Sequence, residues 1–135
     1  MLLSFSPLLK PGGVVTLVIL PPFCVWETLL LLKGKWKTAT RRWTNNKKGT
    51  AAHIEGELFR CWYYPPSYVK RVLQTQYTLL GVETLCTFVP PSYIVGFENR
   101  HPALFRFLCR LENRLKTSWP WNTIGDYYII SLRKH

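Results

Sequence analysis

The sequence predicts an α/β fold: a helix-covered sheet whose last strand runs antiparallel, interrupted by a long insertion. Three observations carry this prediction. A Pro11-Gly12-Gly13 cluster leads directly into a β-branched apolar run over 14–20. Strand and helix patterns then alternate toward the end of the chain. The last strand, over 126–133, enters through a Gly125-Asp126 turn and lacks the crossover helix that a parallel strand needs.

The first cluster ends a helix, because proline lacks the donor to continue one and glycine accepts the left-handed cap. The run Val14-Val15-Thr16-Leu17-Val18-Ile19-Leu20 is short and nearly free of polar groups. That is the pattern of a parallel strand buried on both faces. Parallel strands are reached through long crossovers, yet few residues precede this one, so the chain reads as beginning inside a fold. Pro21-Pro22 stops the strand, and a helix follows over 23–33, with Trp26, Leu29, Leu30 and Lys33 at helical spacing.

A basic stretch to Lys48 contains Asn45-Asn46 and Gly49 as loop signals. Over 51–64, Ile54, Gly56 and Leu58 alternate with His53, Glu55 and Glu57, as in a half-exposed strand or hairpin. Pro65-Pro66-Ser67 precedes a helix over 68–80, with Ser67 as N-cap and Gly81 as the stop. A second strand, over 82–89, ends at Pro90-Pro91. His101-Pro102 then opens a helix to about residue 115, with Leu104, Phe107, Leu108, Leu111 and Leu115 as its apolar face.

A length of 135 residues suits one domain, and 47% hydrophobic with 15% aromatic content supplies a core and argues against disorder. Eighteen Lys+Arg against seven Asp+Glu give a net charge of +11, which favours nucleic acid, acidic lipid or an anionic substrate. Much of the excess lies in Lys33, Lys35, Lys37, Arg41, Arg42, Lys47 and Lys48, a run that reads as a solvated surface or a lid. Cys24, Cys61, Cys86 and Cys109 form no C-x-x-C pair. Their spacing argues against zinc or redox chemistry and for buried free thiols in a reducing, cytoplasmic compartment. Residues 14–32 are nearly all apolar, but Pro21-Pro22 and Glu27 argue against a membrane span.

The set Leu9-Lys10-Pro11-Gly12-Gly13, Pro21-Pro22-Phe23-Cys24-Val25-Trp26-Glu27, Arg41-Arg42-Trp43, Val89-Pro90-Pro91-Ser92-Tyr93 and Gly125-Asp126-Tyr127-Tyr128-Ile129-Ile130-Ser131-Leu132 occurs in that order. It resembles the C-terminal half of class I S-adenosylmethionine-dependent methyltransferases, over essentially the whole chain. The resemblance implies a single partial domain over 1–135: strands 5, 6 and 7 of a Rossmann-like sheet in the order 5-7-6, strand 7 antiparallel. A lid-like helical and β insertion spans about 21–66. It implies S-adenosylmethionine as cofactor, yet the family's glycine-rich loop and ribose-binding acid have no counterpart here. No cofactor-binding residue is assigned, and the chain alone is expected to be inactive. The remnant sheet would leave the fifth strand as a bare edge and promote self-association.

In open α/β sheets ligands sit beyond the carboxyl ends of the parallel strands. There the resemblance puts an acceptor pocket walled by residues 21–27 and 90–93. Arg41 and Arg42 are candidates to hold a carboxylate or phosphate of a small-molecule acceptor. Phe23, Trp26, Trp43, Tyr63, Tyr64 and Tyr93 are candidates to cover a flat or apolar one. The same residues also fit a solvated basic face over an aromatic mini-core. Glu27 is the candidate general base, although a carboxylate on a helix surface is the plainer reading. His53, Glu55 and Glu57 read as an exposed polar strand face, so no metal site is assigned. A nucleic-acid-binding module using residues 33–48 with Trp36 and Trp43 is the alternative; a small membrane-associated protein is a third.

Overall fold

Pro11 and Gly12 build a tight turn in which Gly13 N–H donates to Lys10 O at 2.9 Å. Gly12 takes φ +78° there, the left-handed position that a type II turn reserves for glycine. The computed structural model describes residues 6–29, 32, 34, 36, 40, 42, 43, 49–54 and 57–135, without the side chains of 52–54. A 3-10 turn, Ser6–Leu8, precedes the glycine turn. The Lys134 ammonium donates to Ser6 O and Leu9 O, both at 2.8 Å, and pins this segment to the end of the last strand.

The described elements are β1 (Val14–Ile19), α1 (Val25–Leu29), β2 (Thr50–Ile54), β3 (Glu57–Cys61), α2 (Pro66–Leu73), β4 (Tyr77–Leu85), α3 (Phe97–Arg100), α4 (Pro102–Leu115) and β5 (Tyr127–Lys134). The fold is mixed α/β. Strands β1, β5 and β4 form a sheet in that order, and β2 pairs with β3 as a separate hairpin. Strand β5 runs antiparallel to both neighbours, with Leu17 opposite Ile130 and Thr84 opposite Tyr128. The carboxyl ends of β1 and β4 therefore point the same way and meet at the start of β5.

The core lies on one face of this sheet. Val69 and Leu73 of α2 pack onto Tyr77, Tyr128, Ile130 and Leu132, with Val15, Leu17 and Ile19 alongside. Their alternation is the period-2 pattern of a strand with one buried face. The other face of β1 is open: Val14 and Thr16 are exposed and Val18 is 62% exposed. This corrects the expectation of a parallel strand buried on both sides. Its neighbour in the described sheet is antiparallel, and its other edge pairs with no described strand.

The boundaries of α2 and β4 also differ from the sequence reading. Helix α2 ends at Leu73, and β4 begins at Tyr77 rather than near 82. The segment 77–80 gains backbone pairing with β5, and Tyr77 becomes buried against α2. A helix through 80 would forfeit both. Gly81 is not a helix stop but lies beside a register shift between Leu79 and Gly81, a bulge that adds one residue to β4. Pro65 rather than Ser67 is the N-cap, with Pro66 at the first helical turn. Strand β4 stops at Leu85, ahead of Pro90-Pro91. Helix 102–115 and the terminal antiparallel strand are found as expected, but Leu104 and Phe107 of the helix's expected apolar face are exposed, because its buried side is turned toward Phe105, Leu108 and Glu112.

Candidate functional site

Beyond the carboxyl ends of β1 and β4 the chain converges on one guanidinium. Arg42 Nη2 donates to Glu27 Oε1 at 2.8 Å and to Asp126 Oδ1 at 2.5 Å. Its Nη1 donates to Pro21 O at 3.2 Å and to Asp126 O at 3.1 Å. Arg42 and Glu27 are each only 2% exposed. Burial alone would lower the Arg42 guanidinium, but the Glu27 hydrogen bond and charge, with Asp126, hold it above its ordinary range. The ring of Tyr63 lies 5.2 Å from the guanidinium carbon and supplies a cation–π face. Cys24 Sγ donates weakly to Asp126 Oδ1 at 3.9 Å, and burial pushes this thiol up.

Each contact has a sequence origin. Pro21 ends β1 and is buried, so its carbonyl faces inward. Glu27 lies in the first turn of α1, near the positive end of the helix. Asp126 precedes β5, its N–H donating to Leu85 O at 3.0 Å, while Gly125 N–H reaches Phe23 O at 3.4 Å. A Cβ at Gly125 would come within 2.8 Å of Leu85 O, so only glycine lets the β4 and β5 ends close on each other.

This geometry revises three assignments. Arg42 is not a free anion binder, because Nη1 and Nη2 are occupied inside the protein and Nε is buried without a hydrogen-bond partner among the described residues. Glu27 is not a helix-surface carboxylate; it is buried in an ion pair with Arg42. Tyr63 is likewise buried beneath Arg42 rather than facing a ligand. Arg41 and Glu55 lie outside the described residues, as does the His53 side chain. Glu57 is exposed.

The other aromatic candidates are divided among separate ring contacts. Phe23 stacks on the exposed Trp43 at 6.0 Å, and Trp26 meets Phe97 edge-on at 6.3 Å. Tyr64 turns away to stack on Tyr68, and its carbonyl accepts from Tyr128 OH at 2.9 Å. Tyr93 is exposed on the loop after β4. That loop, through Val89, Pro90, Pro91 and Ser92, lines a cavity of about 410 Å³ together with Phe97 and Phe105. Trp26 Nε1 is buried without a hydrogen-bond partner among the described residues, an unsatisfied donor next to the Phe97 wall of that cavity.

Glu112 escaped the sequence reading. Its carboxylate is buried and accepts from the backbone N–H groups of Thr87, Phe88 and Val89 at 3.1, 2.7 and 3.2 Å. One α4 side chain thus fixes the loop leaving β4. The available signal was an acid set on the helix flank beside Leu108, Leu111 and Leu115. Within the same loop Cys86 has φ +58°, and burial pushes its thiol up to about 11, with Asp126 and Glu112 adding to the shift.

Among the described residues no group of His, Cys, Asp and Glu has the arrangement to hold a metal ion, and no helix is long and apolar enough to cross a membrane. Compared with known proteins, the chain matches no family model and no curated sequence.

Proposed function

We propose that this chain is the acceptor-side part of an S-adenosylmethionine-dependent methyltransferase fold. The observation that carries the reading is the placement of β5 between β1 and β4, antiparallel to both. That is the 5-7-6 order which the sequence resemblance implies. The aromatic and proline segments also gather where such folds bind ligands, beyond the carboxyl ends of β1 and β4. The cavity beside Pro90 and Phe97 suits a small apolar or aromatic acceptor.

The described residues do not fit the cofactor itself. Its adenosine hydroxyls need an accessible carboxylate, whereas the two carboxylates at the head of β5, Glu27 and Asp126, are both engaged by Arg42. The role assigned to this chain is therefore to shape, desolvate and orient the acceptor.

The coding sequence upstream of Met1 tests the reading. A strand followed by a glycine-rich loop supports it, and the lack of such a segment overturns it. Calorimetry with S-adenosylmethionine gives an independent check: tight binding by these 135 residues alone would contradict an acceptor-side assignment.

A further inference from the structure

Helix α4 keeps one face in solvent. Its inner flank carries the buried Glu112 and the partly buried Phe105, Leu108 and Cys109. On the outer side Arg106, Arg110 and Arg114 are all exposed. Four-residue steps advance a helix face by only about 40°, so the three guanidinium groups form one stripe. Beside the stripe Phe107 is 58% and Leu104 47% exposed.

Nothing acidic offsets this charge on the helix. Glu112 is the helix's acid, and backbone donors already occupy both of its oxygens. No ion pair engages any of the three arginines among the described residues. Trp119, on the segment that follows, is 81% exposed.

We propose that the Arg106, Phe107, Arg110 and Arg114 face of α4 is a docking surface for an anionic lipid bilayer. Cationic side chains flanking exposed apolar ones on one helix face are the composition of a helix lying in the membrane interface. The 14 residues of α4 give about 21 Å of contact along the bilayer plane. Phe107 and Leu104 enter the headgroup–acyl boundary while the arginines meet lipid phosphates. A nucleic acid would use the arginines but leave Phe107 and Leu104 in water. A plain solvated helix face mixes both signs of charge. This inference stands apart from the methyl-transfer reading, since it uses none of the same residues.

Flotation with phosphatidylcholine vesicles, with and without phosphatidylserine, tests it at near-physiological salt. The protein should float only with the phosphatidylserine vesicles. The Arg106→Gln, Arg110→Gln, Arg114→Gln triple variant should bind about 100-fold more weakly, near fivefold per arginine. Phe107→Ser alone should cost about tenfold. All these side chains are exposed, so unchanged circular dichroism is expected. A control replacing Lys33, Lys35 and Lys37 by Gln should retain most of the binding. Equal binding to both vesicle types, an unaffected arginine variant, or loss in the lysine control alone overturns the proposal. So does binding to a single-stranded oligonucleotide without any vesicle binding.

Discussion

Arg42 Nη2 and Asp126 Oδ1 lie 2.5 Å apart although 84 residues separate them in the chain. Through this contact Arg42 is fastened to the head of the central strand. Glu27 completes the clasp from α1, so two carboxylates share one guanidinium in a nearly water-free site. Buried ions are held by their partners, and removing one partner strands the others.

Arg42→Met is therefore expected to destabilise the fold by about 3–5 kcal/mol, because Glu27 and Asp126 remain buried without a counter-charge. Adding Glu27→Gln should recover part of that loss. Urea denaturation of the single and double variants measures the coupling; equal stabilities for wild type and Arg42→Met would show the clasp to be idle.

Glu112→Gln should cost about 2 kcal/mol. An amide keeps the volume but presents one acceptor oxygen where the carboxylate presents two to Thr87, Phe88 and Val89. Hydrogen exchange at those three amides should accelerate in the variant, while exchange at the Val69 amide of α2 should follow only the global change.

The Cys86 thiol is held near 11 against an ordinary value of 9.0. The folded protein keeps this proton where the unfolded chain gives it up. Its stabilising contribution is complete below pH 9.0 and is lost as pH rises toward about 11. Between those values the urea midpoint should fall more steeply in the wild type than in Cys86→Ser. Alkylation of native Cys86 at neutral pH should be slow, since the thiolate is the reactive form.

Strand β1 presents an edge that pairs with no described strand, together with the exposed Val14 and Val18. Such an edge templates pairing with another chain. Sedimentation should reveal concentration-dependent association, and Val18→Lys should shift it toward monomer by placing a charge on that edge. A wild-type protein that stays monomeric at all concentrations would contradict this expectation.

Local chemistry was legible where neighbours in sequence decide the outcome. The proline-led α4 and the alternating β5 follow from propensity and periodicity, whereas the cluster at 11–13, read as a helix cap, forms a tight turn after the 3-10 turn Ser6–Leu8. The boundary between α2 and β4 was not legible. Residues 77–80 suit either state, and burial of Tyr77 against α2 together with pairing to β5 decides for the strand. Among the candidate residues, Phe23, Trp26 and the prolines fall beyond the strand ends as read, whereas the destination of Arg42 was hidden. An arginine in a basic run has no local feature that tells an internal ion pair from a surface charge.

By itself, then, the sequence determined the kinds of elements, their order and the antiparallel last strand, because turns and hydrophobic periods act over a few residues. Only the tertiary structure decided that Arg42, Glu27 and Asp126 form one buried centre and that Glu112 holds the loop after β4. A buried charge is tolerable only beside its partner. In this chain those partners come from segments far apart in sequence and meet only when the sheet closes.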